Sequence, residues 1–395
     1  MYSEEDLNSA VAAGALSAEA AASFRAHMTQ VREMPRGDEE NFRLINSFND
    51  IFVAIGVVIM LLAAGAIGQA IAGIIAPDPD FPWDTEFTDA QWAVYNAADQ
   101  LNNGLSACFA GLLVAATAWP LAEFFTRRRR MAFPSIILLL AFVGAVFAAA
   151  FGIGLTAGSL DNETAGGLMI AAAGLIAAGS AWLHWRRFMV PITVAAGAAA
   201  LAITVIALIV AGFDAAFGLD GENTGNVLLT LTFALGLAIF AFAMRWDISD
   251  RERTTRRSDV AFWLHLLAAP MIAHPVFYSL GVMDGGDRVG IGGALGVLAI
   301  YVVFGFVALA VDRRALLVSA LAYVLAALTF LFDRFGAVEL NFALTALVIG
   351  SALLTLSAFW TPIRNTVVRQ LPGSWRDRLP DAAVVPANGM RPLAS

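Results

Sequence analysis

The sequence has no lysine, one cysteine and few charged residues of any kind. Charged residues make up 14% of the 395 positions, compared with about 25% in a typical soluble domain, so an ordinary soluble protein is excluded. Because Cys108 is the single cysteine, an intrachain disulfide and a cysteine-based metal site are excluded as well. The sequence also lacks a Walker loop, an HExxH motif and a Gly-x-Ser-x-Gly motif, so an enzyme is the less favoured interpretation.

Long apolar blocks are abundant instead. Hydrophobic residues make up 59% of the chain and fall in blocks of about 20 to 26 residues, the length that a helix needs to cross a bilayer. Short segments of alternating polarity, typical of a membrane β-barrel, are not seen. The pattern predicts an all-α, polytopic membrane helix bundle of about ten transmembrane helices. We expect these spans at residues 51–76, 104–125, 133–158, 165–185, 189–213, 225–244, 260–282, 289–311, 315–332 and 340–360.

All basic residues are arginines, and they are concentrated in alternate loops. Of the 24 arginines, 22 fall in the N-terminal segment, the even-numbered loops and the C-terminal tail, and only Arg288 and Arg334 fall on the other side. Cytoplasmic loops of membrane proteins carry the excess of basic residues, so both termini are predicted to lie in the cytoplasm, with the bundle in a bacterial inner membrane. We expect the arginines to contact anionic membrane lipids and not nucleic acid.

The chain divides into three predicted parts. These are a cytoplasmic helical hairpin with its linker (residues 1–48), the transmembrane bundle (49–362) and a cytoplasmic tail (363–395). In the hairpin, Ser3 and Ser17 are placed to cap two helices, and Gly14 is placed to end the first. The hairpin is either a docking module for a protein partner or for another subunit of a homo-oligomer, or a cap packed on the cytoplasmic loops.

The longest outer loop, residues 77–103, is acidic and aromatic. It contains six Asp or Glu residues and no basic residue. Thr88 and Asp89 are predicted to start a short helix lying on the membrane surface. The aromatic residues among the acids are either a site for an organic cation or simple anchors at headgroup level. These residues are Trp83, Phe87, Trp92 and Tyr95.

The seventh predicted span, FWLHLLAAPMIAHPVFYSLGV, differs from the others because it contains two prolines and two histidines. Each proline removes one helical hydrogen bond, which leaves the carbonyls of Leu266 and Met271 without their usual donors. Such carbonyls need other partners in hydrocarbon, and transporters use broken helices of this kind to bind solutes or ions. The sequence therefore predicts a broken helix and an intramembrane polar site. The site residues are His265, Pro270, His274, Pro275 and Tyr278.

Two other interpretations of this span stay open. The histidines can be neutral residues of a kinked helix, hydrogen-bonded to neighbouring helices, or they can ligate a haem or metal. His265 and His274 are nine residues apart, so they face opposite sides of a helix and cannot bind one metal together. His184 is a secondary candidate because it is placed at a depth near His265, but no third ligand is evident. We therefore expect no cofactor, haem or metal.

Few other charged residues fall inside the apolar blocks. Glu123 is, like His184, a secondary candidate for a functional residue. It lies four residues before Arg127, and this spacing predicts an ion pair between the two side chains. Asp312 lies at the end of the eighth span and next to Arg313, which suggests another charge pair.

Several segments together resemble a known group of proteins. They are Gly14-Ala15-Leu16-Ser17, EFFTRRRRMAFPS after the second span, FWLHLLAAPMIAHP, and the closing FWTPIRNTVVRQLPGSWRDRLP. With these segments the chain resembles a family of uncharacterised multi-pass bacterial inner-membrane proteins, defined by a domain of unknown function with an N-terminal helical hairpin. The resemblance implies the membrane-bundle fold over nearly the whole chain, and no activity, substrate or catalytic residue. In its number of spans alone, the chain is also similar to the drug/metabolite transporter superfamily.

Three functions are compatible with these features. The leading hypothesis is a transporter or permease-like protein that uses the seventh span. The alternative is a non-catalytic membrane scaffold or assembly factor that binds a partner through its N-terminal hairpin. An intramembrane enzyme or redox protein is the third.

Overall fold

The computed structural model describes residues 4–33, 48–77, 87–158, 162–218, 221–251, 253, 255–280, 291–334, 341–376 and 379. Every regular element within these ranges is a helix, which confirms the all-α prediction. The helices are α1 (Glu4–Ala12), α2 (Ala18–Glu33), α3 (Phe48–Ile75), α4 (Asp89–Ala122), α5 (Ala132–Thr156), α6 (Glu163–Phe188), α7 (Ile192–Phe217), α8 (Gly221–Ile248), α9 (Arg256–Ser279), α10 (Ile291–Val311), α11 (Ala315–Arg334), α12 (Asn341–Ala358), α13 (Trp360–Gln370) and α14 (Gly373–Arg376).

Helices α1 and α2 form the predicted hairpin and belong to a compact unit separate from the bundle. Gly14 adopts a left-handed backbone with φ of 71° just after α1, which glycine does without steric penalty. The Ser17 hydroxyl accepts a hydrogen bond from the Ala20 amide at 3.1 Å and caps α2. The roles predicted for Gly14 and Ser17 are thus confirmed, whereas Ser3 and the linker lie outside the described residues.

Eight helices, α3 to α10, are long and apolar enough to cross a membrane, counted over the described part of the chain. They correspond to the first eight predicted spans. Helices α12 and α13 add a ninth candidate if they count as one span, although they are bent by 76° relative to each other. The apolar part of α11, Leu317–Thr329, is shorter than the other candidates. The count of ten therefore stays a prediction.

Helix α4 is longer than predicted. Thr88 caps it through a capping box, in which its hydroxyl and the Gln91 side chain each bind the other residue's backbone amide. The helix that starts there is not a separate surface helix, because it continues without interruption to Ala122. Half of the segment assigned to the outer loop is therefore the first part of α4. Residues 78–86 of that loop lie outside the described residues.

Helix α9 is the central helix of the second half of the bundle. Half of its most apolar stretch is buried, compared with 17–39% in the other seven candidate spans. It packs against α7 and α8 on one side and against α11 on another. Apolar side chains of α10, α11 and α12 close around Phe277 in its last turns, and they include Val297, Val324 and Ile349. Polar side chains on α9 are thus held between several helices.

The predicted break in α9 is wrong. The helix is continuous from Arg256 to Ser279, and both Pro270 and Pro275 lie inside it. A proline within a helix lacks one amide donor, but the turns before and after it can keep their own hydrogen bonds. Packing of α9 on its neighbours holds the helical path across both prolines.

Helices α3, α4 and α5 approach each other at backbone distance. A Cβ atom built on Gly111 of α4 would lie 2.4 Å from the Ala145 carbonyl oxygen of α5, and one built on Gly68 of α3 would lie 2.4 Å from the Ala110 nitrogen. Only glycine fits such positions, as is common between membrane helices. The relative positions of these three helices are therefore fixed by steric contact.

Candidate functional site

His265 lies in the first half of α9, whose start is capped by the hydroxyl of Thr255. Its side chain is fully buried between α9 and α8. The Nε2 atom lies 2.9 Å from Oδ2 of Asp247 near the end of α8, and the ring of Phe240 packs edge-on at 5.0 Å. Since an ionised carboxylate can only accept a hydrogen bond, Nε2 carries the proton and donates it.

The same carboxylate binds Arg313 from the α10–α11 connection. Arg313 Nη2 lies 2.6 Å from Asp247 Oδ1, and Nε lies 3.4 Å from Oδ2. Arg313 also donates to the Ser258 carbonyl at 3.1 Å. We call Asp247, His265 and Arg313 the buried triad, because none of the three is more than 2% exposed.

The charges of the buried triad balance when His265 is neutral. Arg313 neutralises Asp247, and His265 Nδ1 has no hydrogen-bond partner among the described residues. A second proton on His265 would therefore lack an acceptor and would leave a net charge in a dry environment. The triad is suited to hold helix ends together rather than to exchange protons.

A second ionic cluster surrounds Asp312, directly beside the triad in sequence. Arg253 Nη1 lies 2.8 Å from its carboxylate, the Trp360 indole donates to it at 2.7 Å, and Arg364 Nε lies at 3.5 Å. Burial alone would raise the pKa of Asp312, but the positive charges of Arg253 and Arg364 outweigh it and hold this pKa below its usual range. Burial, together with the charge of Arg313, lowers the pKa of Arg253.

The charge pair predicted between Asp312 and Arg313 is wrong. Asp312 has a left-handed backbone with φ of 59°, at the break between α10 and α11. Because the chain turns sharply there, the two neighbouring side chains diverge. Asp312 pairs with Arg253 and Arg364, while Arg313 reaches Asp247. Together the two clusters join the ends of α8, α9, α10, α11 and α13.

His274 lies in a different environment, two and a half turns further along α9. It is half-buried, and its Nδ1 lies 2.8 Å from the hydroxyl of Tyr323 on α11. The Tyr323 ring stacks on Phe277 at 4.5 Å, which fixes the hydroxyl in place. No Asp, Glu or Arg among the described residues pairs with His274. Tyr278 is 42% exposed, and its ring centre lies 6.1 Å from that of His274.

The structure therefore divides the predicted site on α9 into two. His274 and Tyr278 lie close together with Tyr323, whereas His265 belongs to the buried triad. Pro275 is buried and Pro270 is exposed. Sequence reasoning missed Tyr323, which is one of several aromatic residues in an apolar block and carries no distinguishing local pattern.

The secondary candidates have structural partners. His184 is 1% exposed, with Nδ1 3.5 Å from the Thr193 hydroxyl, and none of its contacts involves His265. Its ring is enclosed by aromatic side chains of α4, α5 and α6. These are Trp119, Phe142 and Phe188.

Glu123 begins a π-helical turn, Glu123–Arg128, that ends α4. The predicted pair with Arg127 is confirmed at 3.3 Å, and Glu123 also contacts Arg187 of α6. Because the carboxylate is partly exposed and paired twice, it links the ends of α4 and α6 at the predicted membrane surface.

Among the described residues, no group of three or more His, Cys, Asp or Glu side chains is arranged to hold a metal ion. Comparison with known proteins adds no relative: no protein-family model, curated protein or solved structure matches this chain. The resemblance to a family of bacterial inner-membrane proteins stays a prediction. The two sites on α9 are therefore the candidates for function.

Proposed function

We propose that this chain is a transporter or permease-like protein of a bacterial inner membrane, and that proton exchange at His274 drives it. In this proposal the bundle has ten spans, and both termini lie on the arginine-rich cytoplasmic side. The apolar length of α3 to α10 supports the membrane location. The arginine distribution supports the orientation.

The observation that carries the proposal is the hydrogen bond between His274, five residues before the end of α9, and Tyr323 near the middle of α11. Imidazole gains and loses protons readily near neutral pH, and a tyrosine hydroxyl both donates and accepts hydrogen bonds. The pair can therefore keep its hydrogen bond in both protonation states by reversing its direction. Ionisable side chains inside membranes are costly and generally serve function.

Two further features of α9 fit transport. Pro270 and Pro275 lack an amide donor, so the carbonyls of Leu266 and Met271 lose their usual helical donors although α9 is continuous. In a membrane these carbonyls need another donor, which a neighbouring helix or water can supply. The buried triad holds the predicted cytoplasmic ends of the helices together. The region around His274 can then move while those ends stay in place.

Charge movement after a pH jump tests the proposal without knowledge of the solute. The full-length protein is reconstituted in liposomes on a solid-supported membrane, and the transient current is recorded after the external pH is changed. We expect a current in the wild type, none in His274→Ala, and a reduced one in Tyr323→Phe, because that variant lacks the hydroxyl bound to His274.

Tyr301→Phe is the matched control. Tyr301 packs against the same apolar cluster as Tyr323, but it makes no hydrogen bond to His274. Its variant should behave as wild type. A wild-type signal equal to that of empty liposomes, or a full current in His274→Ala, would contradict the proposal.

The N-terminal hairpin favours a second candidate, a membrane scaffold or assembly factor. Helices α1 and α2 form their own compact unit, as a docking module would. If this function is correct, deletion of residues 1–35 abolishes co-purification of a partner and leaves the pH-jump current unchanged. Unchanged co-purification after the deletion would count against it.

A further inference from the structure

Two helices, α13 and α14, follow α12 but do not continue its direction. Helices α12 and α13 are bent by 76° relative to each other. Phe359, the single residue between them, has φ of −109° and ψ of 21°. Large movements of a chain are commonly absorbed by a few residues at the ends of helices. Phe359 is therefore a hinge between α12 and the segment that follows.

Residues 360–376 form one unit beyond this hinge, and we call them the strap. Arg376 of α14 donates to the carbonyls of Arg369 and Leu371 at 2.7 and 3.2 Å. These two carbonyls lie at the end of α13, where backbone acceptors lack helical donors. Arg376 thereby ties α14 to α13, so the two helices can move together.

The strap covers an apolar cluster where α10 ends and α11 begins. Trp360 is 5% exposed and is a buried member of this cluster, and Ile363 and Val367 of α13 pack against it. Apolar contacts favour the covered state because water is excluded from these side chains. The strap therefore seals this end of α9, α10 and α11. The cluster residues on these three helices are Ala269, Ala308, Leu309 and Leu317.

The carboxylate of Asp312 fastens the strap to the bundle. The Trp360 indole donates to it at 2.7 Å and Arg364 Nε lies at 3.5 Å, while Arg253 Nη1 binds it from the α8–α9 connection at 2.8 Å. The strap contains three arginines and no acidic residue. Without the carboxylate, the positive charges of Arg253 and Arg364 would repel each other across this contact.

A second contact attaches the chain just beyond the strap. Arg251, after α8, donates to the Leu379 carbonyl at 3.1 Å, and the Leu379 side chain is buried. Because the acceptor is a neutral carbonyl, this contact lacks the attraction between opposite charges that acts at Asp312. Asp312 is therefore the stronger of the two polar attachments.

The His274 site lies just beyond the sealed cluster on two helices. Ala269 precedes His274 by five residues on α9, and Leu317 precedes Tyr323 by six residues on α11. These separations correspond to about 8 and 9 Å along the helix axes. A route from the predicted cytoplasmic side to His274 between α9 and α11 therefore passes the cluster that the strap covers.

We infer that the strap is a cytoplasmic gate for the site at His274 and that Asp312 is its latch. In the closed state the apolar cluster excludes water from the cytoplasmic side of the site. When the latch opens, the strap turns about Phe359, and a proton from cytoplasmic water can reach the imidazole of His274. The gating role rests on the proposed function, whereas the attachment of the strap by Asp312 does not.

Hydrogen exchange of the full-length protein in nanodiscs, followed by mass spectrometry, tests the latch. Helix α13 has 11 residues, and a helix of this length is marginal by itself in water, so its amides exchange quickly once the strap leaves the bundle. We expect Asp312→Asn to accelerate exchange in α13 roughly tenfold or more, because the charged acceptor is lost. The amides of α9 should stay as protected as in the wild type, which shows that the variant is folded.

Glu123→Gln is the matched control. Glu123 also pairs with two arginines at a helix junction on the predicted cytoplasmic side, but none of its contacts among the described residues involves the strap. Exchange in α13 should therefore stay as in the wild type. Trp360→Phe provides a graded variant, which keeps an aromatic ring in the apolar cluster but loses the hydrogen bond to Asp312. It should accelerate exchange less than Asp312→Asn does.

Proton leak into liposomes tests the gating. The liposomes contain a pH-sensitive dye, the external medium is made acidic, and no solute is added. We expect the interior to acidify several-fold faster with Asp312→Asn than with the wild type. Adding His274→Ala to Asp312→Asn should return the leak to the wild-type rate, because the proton then lacks its acceptor in the membrane.

Two results would overturn the inference. Equal exchange in α13 of Asp312→Asn and Glu123→Gln would show that Asp312 is not a latch. Faster exchange in Asp312→Asn without a leak, in a protein whose wild type gives the pH-jump current, would show that the strap does not gate His274. Faster exchange in Asp312→Asn when the wild type gives no current would support the latch and refute the proposed function.

Discussion

His265 and His274 lie on the same helix, nine residues apart, in opposite chemical environments. His265 is fully buried against Asp247, whose charge Arg313 already neutralises. His274 is half-buried and contacts a neutral hydroxyl. A proton added to either imidazole creates a net charge. At His265 the added proton lacks an acceptor, whereas at His274 the hydrogen bond with Tyr323 can reverse its direction. The first imidazole therefore fixes helix ends, and the second is the one to which the proposed function assigns proton exchange.

The largest expected effect comes from opening the buried triad. Arg313→Met leaves the carboxylate of Asp247 buried without its cation, which should lower the free energy of unfolding by about 3–5 kcal/mol. Unfolding titrations with urea or SDS in detergent measure this loss of unfolding free energy. Arg314→Met is the adjacent control and should lose about 1 kcal/mol or less, because Arg314 packs over the Trp360 ring at 4.7 Å. Equal losses in the two variants would show that the triad is not structural.

Removing both charges should restore stability. In the double variant Asp247→Asn with Arg313→Met, no uncompensated charge remains in the triad, so at least half of the loss, about 2 kcal/mol, should be recovered. The same unfolding titration gives the coupling between the two sites. Additive losses would mean that Asp247 and Arg313 act independently.

The Asp312 cluster should give a pH-dependent contribution. The pKa of Asp312 is lower in the folded protein than in the unfolded chain, so its contribution is fully present above the unfolded value of about 3.9 and is lost as the pH falls through the folded value. We expect Asp312→Asn to cost about 1–3 kcal/mol at neutral pH. The difference in unfolding free energy between this variant and the wild type should shrink below about pH 4.

An exposed carboxylate provides the control for this pH dependence. Asp89 lies in the first turn of α4 and is exposed, so Asp89→Asn should change stability by about 1 kcal/mol or less at neutral pH. If Asp312→Asn is no more destabilising than Asp89→Asn, the ionic contacts of Asp312 do not stabilise the fold.

The smallest effect is expected at Tyr278. Its hydroxyl makes no hydrogen bond to a described residue, and its ring is 42% exposed. Tyr278→Phe should therefore change the unfolding free energy by about 0.5 kcal/mol or less and leave the pH-jump current unchanged. A lost current in this variant would show that Tyr278, and not only Tyr323, takes part in the site with His274.

Much of the fold could be predicted from hydropathy and capping residues. The apolar blocks predict α3 to α10 because a membrane helix must be apolar over its whole length. Gly14 and Ser17 predict the hairpin because their roles depend on neighbouring residues alone. The far end of α8 could not be found in this way. The apolar block ends near residue 244, but the helix continues to Ile248 and carries Asp247 into the core.

The candidate site was predicted in part. The sequence pattern indicated α9 and its histidines, but it could not separate His265 from His274, because their environments depend on side chains from α8 and α11. Adjacency in sequence predicts a pair between Asp312 and Arg313. The left-handed backbone of Asp312 instead turns the two side chains towards different partners. An Asp one turn beyond an apolar block is the signal that would have suggested Asp247.

Nitrogen NMR of histidine in the reconstituted protein tests the division between the two imidazoles most directly. The chain is labelled with 15N-histidine, and His265→Gln and His274→Gln assign the signals. Spectra are recorded from about pH 5 to about pH 8, where imidazoles commonly titrate. We predict that His274 changes protonation with pH, while His265 keeps a proton on Nε2 and none on Nδ1 throughout. Protonation of His265 in this range, or a constant His274, would contradict the account.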